Sequence, residues 1–324
     1  MRNARPAVEL QGLSKDYAGE KALRELSLVI PEGALFGLIG ADGAGKTTLL
    51  SILATLRDAD AGTVRVLGKN PATDFNELRH RLGYMPQRFS LYADLSVEEN
   101  LRFFASLFGL TPEQGRERMD KLLQFAGLAD FRRRRAGALS GGMKQKLALS
   151  CILLHEPELL LLDEPTVGVD PVARRDFWRL LRTLRDEGRT IIVSTPYMDE
   201  AEMCAALALL HQGRLLAQGS PASLTERFPH PLYALEAESP LRWAMNQARP
   251  QGFKSIYPMG GKLHAVAEGI DPQADVSALK AQWDGEVSAQ AVKPGIEDVF
   301  LGLLTGTIPP EVYSADLGNR PEAG

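Results

Sequence analysis

Apolar positions along this chain fall into three textures. From residue 8 to 39 they fall in short runs split by turns: Leu23–Ile30 alternates in part, Pro31-Glu32-Gly33 turns, and Ala34–Ile39 is continuously apolar. Such runs predict strands. Gly40 breaks the last one, and Lys46–Leu56 carries helical spacing. Asp60-Ala61-Gly62 leads into a strand over Thr63–Leu67. Residues 75–154 read as helical. There Ser96-x-x-Glu99 opens a helix over Ser96–Leu107 as a capping box, Glu113–Ala126 is amphipathic, and Gly142–Leu154 is a third helix. Leu159–Leu162 is apolar on both faces, as a strand inside a parallel sheet must be. Beyond it the pattern predicts a helix over Pro171–Glu187 ended by Gly188, a strand over Thr190–Ser194 and a helix over Asp199–Ala206. Leu207–Leu210 and Arg214–Gln218 read as a hairpin across Gln212-Gly213.

The third texture begins near Phe228. Pro229, Pro231, Pro240, Pro250 and Pro258 punctuate short strand-like and helical runs. We therefore expect a domain over residues 1–228, a small accessory domain over 229–306, and a flexible tail over 307–324, rich in Pro, Gly and polar residues. Hydrophobic residues make up 44% of the 324 and charged ones 24%, the balance of a folded globular chain. The net charge of -4 gives no basic face for nucleic acid. Cys151 and Cys204 lie far apart in apolar surroundings and read as buried free thiols in a reducing compartment. No signal peptide is expected in the polar start Met1–Pro6. The apolar runs Leu147–Leu154 and Leu159–Leu162 are far shorter than the roughly 18 residues a membrane span needs.

The break at Gly40 changes the picture from fold to chemistry. Gly40-Ala41-Asp42-Gly43-Ala44-Gly45-Lys46-Thr47 fits Gly-x-x-x-x-Gly-Lys-[Ser/Thr] between a strand and a helix. Glycines let the backbone curl so that several N–H groups face one concavity, which suits phosphate oxygens. The helix that starts there adds its positive end. Lys46 is expected on the β- and γ-phosphates, the Thr47 hydroxyl on Mg²⁺, and Thr48 on the α-phosphate. The strand Leu159–Leu162 ends in Asp163-Glu164. Ligands of open α/β sheets bind at such strand ends. Asp163 is expected to hold Mg²⁺ through water, and Glu164 to orient and polarise the attacking water. Leu139-Ser140-Gly141-Gly142-Met143-Lys144-Gln145 opens a helix, where Ser140 is either a plain cap or, with two glycine N–H groups, part of an anion site.

The phosphate loop, Gln87, Leu139–Gln145, Leu159–Glu164 and Thr166-Val167-Gly168-Val169-Asp170 occur in the order found in the ATP-binding cassette (ABC) family. The chain resembles that family over about residues 8–220. The resemblance implies an α/β fold: a P-loop NTPase core with an antiparallel β subdomain and a helical signature subdomain, plus a small α+β C-terminal domain. It also implies a head-to-tail dimer, homo- or heteromeric, with two ATP molecules at the interface. Ser140, Gly141 and Gly142 would bind the γ-phosphate held by the other subunit, and Asp170 would lie on the dimer contact. Gln87 would sense the γ-phosphate, join the metal and catalytic sets, and link the core to the helical subdomain. Tyr17 matches the aromatic that stacks on adenine, the alternative being a strand-end ring packed on the core.

Tyr84–Asn100, Gly168-Val169-Asp170-Pro171, Tyr197–Cys204 and Pro294–Phe300 resemble the export branch, which moves drugs, lipids or polysaccharides out of bacteria. That implies membrane permease subunits as partners, no nucleic acid, and a peripheral place on the cytoplasmic face of the inner membrane. Arg132–Arg135 reads as a solvated loop, or as a contact for lipid headgroups or acidic permease residues. A soluble cassette of translation or DNA maintenance would carry two phosphate loops or a long heptad insertion, and this chain has one loop and no such stretch. One position departs from the family. Ile191–Thr195 is followed by Pro196 where the pattern has His, and no His lies within Val193–Cys204. Proline offers no side-chain donor and no N–H. ATP binding is expected to survive and hydrolysis to be slow. Either the subunit pairs with an intact one, or the change marks an altered or trapped variant; a further reading is a regulatory subunit that binds ATP without hydrolysing it.

Overall fold

The structure is a computed structural model that describes residues 5–88, 91–237, 253–268 and 287–314. The expectations for residues 1–4, for 89–90 inside Tyr84–Asn100, and for the tail beyond Ser314 lie outside the described residues. The chain divides into two units, Met1–Ser220 and Pro221–Gly324, ahead of the composition change at Phe228.

In the first unit, β1 (Pro6–Tyr17), β2 (Glu20–Pro31) and β4 (Ala61–Val66) form an antiparallel sheet in the order β2-β1-β4. A second sheet runs β5-β6-β7-β3-β8-β9, from β5 (Leu82–Met85), β6 (Leu159–Asp163), β7 (Thr190–Thr195), β3 (Leu35–Ile39), β8 (Ala206–His211) and β9 (Arg214–Gly219). Its first five strands are parallel, and β8-β9 is the expected hairpin. Every residue of β3, β6 and β7 is buried, which is why these strands are apolar without alternation. Leu38, Leu161 and Ile192 pack toward α1 (Lys46–Leu53) and the antiparallel sheet. Leu35, Leu160, Leu162 and Val193 pack toward Phe177, Trp178 and Leu181 of α6 (Pro171–Asp186).

After the short helix α2 (Phe75–Leu78), a helical layer of α3 (Val97–Leu107), α4 (Pro112–Phe125) and α5 (Gly141–Leu153) buries Leu101, Met119, Leu123, Leu147 and Cys151. The capping box of α3 is complete: Glu99 N donates to Ser96 Oγ at 3.2 Å, and Ser96 N to Glu99 Oε2 at 2.8 Å. Thr111 and Gln114 repeat the device on α4, with Pro112 in its first turn. Cys151 and Cys204 are buried free thiols as expected, and burial pushes the Cys204 thiol up to about 12.

The second unit holds an antiparallel sheet β11-β12-β10-β13, from β10 (Leu232–Ala237), β11 (Phe253–Met259), β12 (Lys262–Ala267) and β13 (Val287–Ala291). Among the described residues three helices, α7 (Pro221–Glu226), α8 (Ile296–Leu304) and α9 (Glu311–Ser314), accompany it.

Four local expectations are corrected. The stretch expected to be helical throughout contains β5, whose four residues pair with β6. Helix α1 stops at Leu53 rather than Leu56, with Thr55 left-handed at φ 61°. Because Ala206 already pairs with Phe36, the helix expected over Asp199–Ala206 is a 3₁₀ turn, Met198–Met203. The described part of the flexible tail is packed: Ile308 and Tyr313 are buried, and Tyr313 Oη donates to Leu224 O at 2.9 Å.

Candidate functional site

Strand β3 delivers the chain to the phosphate loop at the C-terminal rim of the parallel sheet, and α1 carries it away. Gly40 N donates to Thr195 O at 3.4 Å, which ties the loop's entry to the end of β7. Gly45 caps α1 at φ 99°, and a Cβ there would meet Ala22 O at 2.5 Å. Only glycine satisfies both conditions. Asp42, Gly43 and Thr47 are exposed, Thr48 is half-buried and Ala44 is buried.

Lys46 is buried, and its ammonium curls back onto Gly40 O at 2.7 Å and Ala41 O at 3.1 Å. It also lies 3.1 Å from Glu164 Oε1. The other oxygen of that carboxylate accepts from Gln87 Nε2 at 2.8 Å. Gln87 reaches this point because it follows β5, the strand next to β6. Asp163 is in register with Ser194. Ser194 Oγ donates to Asp163 Oδ1 at 2.6 Å and accepts from Glu164 N at 3.0 Å. Asp163 Oδ2 is buried with no hydrogen-bond partner. Glu164 has a left-handed backbone, φ 50°, uncommon for a side chain of its size.

The structure thus brings together Lys46, Gln87, Asp163 and Glu164, four residues spread over more than a hundred positions. Gln87 shares a surface pocket with Lys144 and Gln145 of the signature, whereas Ser140 and Asp170 bond within their own turns. Ser140 caps α5 by accepting from Met143 N at 3.3 Å, and Asp170 caps α6 by accepting from Val172 N and Ala173 N at 3.1 and 3.0 Å. Capping leaves Ser140, Gly141 and Asp170 exposed. Among the described residues, Lys46 and the acidic pair make their hydrogen bonds and ion pairs with the loop, Gln87 and Ser194 rather than with the signature. Tyr17 is 37% exposed rather than packed in the core, with Arg57 and Lys15 at 5.4 and 5.5 Å from its ring. Arg132 pairs with Asp120, whereas Arg133, Arg134 and Arg135 are exposed.

Packing requires glycine at position 142. A Cβ on it would lie 2.4 Å from that of Ala173, where α5 and α6 meet, while one on Gly141 would find ordinary space. Gly142→Ala should cost about 1–3 kcal/mol of stability by overpacking, and Gly141→Ala should cost much less. Urea unfolding of both variants checks the difference.

Ser194, Thr166, Thr195 and Glu200 carry no role of their own in the sequence expectations. Thr166 and Glu200 fall inside motifs noted for resemblance, and Ser194-Thr195 offer only two hydroxyls closing an apolar strand.

The ABC transporter family profile matches residues 23–167. Over 312 residues the chain is 39% identical to the protein of Escherichia coli named "Probable multidrug ABC transporter ATP-binding protein YbhF". That match covers 92% of this chain and 52% of that protein, so the chain spans about half the length of this relative. The Nod factor export ATP-binding protein I of Ralstonia nicotianae is 34% identical over 313 residues, 92% of this chain and 94% of that one. A solved structure of a dimeric ATP-binding cassette in a post-hydrolysis state with ADP and Pi superposes with a TM-score of 0.60 at 26% identity. It covers 66% of this chain and 98% of that one. With the phosphate loop, the acidic pair and the signature all set on this fold, the chain belongs to the ABC transporter family, among its ATP-binding proteins.

Proposed function

We propose that this chain is the energy-coupling subunit of an exporter, binding MgATP and hydrolysing it to drive a separate membrane permease. The observation that carries this reading is the meeting of Lys46, Gln87, Asp163 and Glu164 beside the N-terminus of α1. The names of the multidrug and Nod factor relatives support the exporter role.

The orphaned Asp163 Oδ2 supports a metal. A buried carboxylate oxygen without a donor is costly unless a cation or its water meets it. Asp163, the Thr47 hydroxyl and the Gln87 amide oxygen form an oxygen-donor set that fits Mg²⁺. Bound there, Mg²⁺ would supply charge neutralisation on the phosphates. The chain's own groups do the rest. Loop N–H groups and Lys46 hold the phosphates, Thr48 adds a donor, and Glu164 orients the attacking water and takes its proton. Tyr17 presents an exposed ring for adenine.

Ser140, Gly141, Gly142 and Asp170 serve the site of a second nucleotide-binding subunit, homo- or heteromeric, a reading supported by the exposure of Ser140, Gly141 and Asp170. Among the described residues no helix is long and apolar enough to cross a membrane. A peripheral place on the cytoplasmic face of the inner membrane, against permease subunits, follows from the exporter role. Pro196 favours a second reading, a regulatory subunit that binds ATP without turning it over.

Titration with a fluorescent ATP analogue and Mg²⁺ tests the site. Lys46→Ala should weaken binding by about 10–100-fold, since hydrogen bonds to charged groups are worth about 1.5–3 kcal/mol. Unchanged affinity would remove Lys46 from the site. Co-purification with a membrane permease from detergent extracts tests the exporter role.

A further inference from the structure

A buried polar cluster lies just behind the acidic pair. Glu200, on the 3₁₀ turn after β7, is 1% exposed. Its Oε1 accepts from Thr166 Oγ1 at 2.7 Å, and its Oε2 accepts from Thr195 Oγ1 at 2.6 Å. Both threonines are fully buried. Arg174 Nε, from the first turn of α6, lies 3.5 Å from Oε1, and its guanidinium sits 4.2 Å from the Tyr197 ring centroid. Thr195 Oγ1 also accepts from Tyr197 N at 3.1 Å, so one hydroxyl folds the chain around Pro196 and hands it to Glu200.

These contacts join two loops that flank the candidate catalytic carboxylate. Thr166 stands two residues beyond Glu164, and Thr195 immediately precedes Pro196. Glu164 holds a left-handed backbone, a conformation that persists only where the surroundings over-determine it. From the β7 side it is held by Ser194, through Oγ at 3.0 Å and O at 3.2 Å. On its C-terminal side the first buried side-chain anchor is Thr166, and that anchor ends on Glu200.

We propose that Glu200 is a positioning residue: by bridging Thr166 and Thr195 it locks the loop after Glu164 to the loop carrying Pro196, and so holds the Glu164 carboxylate in its productive place. This rests on the reading of Glu164 as the group that activates water. Both hydroxyls spend their protons on one carboxylate, so Glu200→Gln, which keeps the shape and lets one hydroxyl reverse its bond, retains part of the lock. Glu200→Ala leaves both hydroxyls and Arg174 without it.

Two measurements on the full chain test this. In the first, hydrogen exchange without nucleotide follows the Val167 and Val169 amides, which donate to Glu164 O and Thr166 O, and the Tyr197 amide, which donates to Thr195 Oγ1. Glu200→Ala should speed exchange in both loops together by at least about tenfold, with Glu200→Gln intermediate. Acceleration in one loop only, or in neither, overturns the proposal, and this holds whether or not the chain turns over ATP. In the second, single-turnover hydrolysis and MgATP affinity are measured side by side. The hydrolysis step should fall by about 10–100-fold in Glu200→Ala with affinity unchanged, and Glu200→Gln should restore part of it. Equal losses of affinity and hydrolysis, or no loss of hydrolysis, overturn it. Should Glu200→Ala fail to fold, Glu200→Gln and the Thr166→Val, Thr195→Val double variant carry both measurements. Failure of wild-type MgATP binding sinks the functional reading instead, and leaves the exchange result to decide the lock.

Discussion

Glu164→Gln is expected to abolish most MgATP turnover, by about 10²–10⁴-fold, the span set by loss of a positioned general base. The same substitution should leave nucleotide affinity intact or raise it. Lys46 is committed three ways, to Gly40 O, Ala41 O and the Glu164 carboxylate. The last of these is a buried ion pair that an arriving phosphate must displace. An amide at position 164 carries no charge for Lys46 to release, so the phosphate meets a less occupied ammonium. Gln87, which donates to Glu164 Oε2, keeps an acceptor in the glutamine's carbonyl oxygen, so the rim need not rearrange. Single-turnover hydrolysis gives the rate, and analogue titration gives the affinity. A variant that hydrolyses at the wild-type rate would remove Glu164 from the chemistry. One that loses affinity and rate together would make the carboxylate a structural partner of Lys46 alone.

Much of this site was readable in the chain because its parts obey local rules. The phosphate loop announces itself by spacing, and the acidic pair by following a run buried on both faces. The capping residues Ser96, Ser140 and Asp170 each precede a helix that starts where the pattern puts it. What escaped was set by pairing across distance. Strand β5 is four residues long and contains Gly83, so no periodicity separates it from the helical pattern around it; only its pairing with β6 makes it a strand. The Glu200 cluster draws on residues 166, 174, 195 and 200, which share no face until β6 and β7 lie side by side. The left-handed backbone of Glu164 has no signature at all, because the residue type argues against it. Tyr313 sits in a polar stretch that reads as tail, and its burial depends on Leu224, far back in the sequence.

Pro196→His is the complementary expectation: a gain of about 10²–10³-fold in turnover, or roughly 3–4 kcal/mol of transition-state stabilisation from one restored donor. The position lies close to both the phosphate loop and the acidic pair. In β7, Thr195 is in register with Ile39, the last residue of β3, and its carbonyl accepts from Gly40 N at the mouth of the phosphate loop. One residue earlier, Ser194 touches both acids. Residue 196 therefore leaves the sheet between the phosphate loop and the acidic pair, and it is half-buried there. The turn around it is already built without a contribution from proline: Tyr197 N is satisfied by Thr195 Oγ1, and Thr195 by Glu200. Histidine can thus enter without unmaking the loop, and its ring adds the side-chain donor that proline lacks. MgATP affinity should change little, because the loop N–H groups and Lys46 are untouched. Hydrolysis rates of the chain and of Pro196→His, each alone and with the permease, decide the matter. Slow turnover raised by histidine in both settings identifies a chain impaired at its own phosphate loop. Slow turnover alone but fast turnover in a mixed assembly identifies a subunit whose hydrolysis is carried by an intact partner. Equal, fast rates in both chains would sink the expectation and show that another group stands in for the missing histidine.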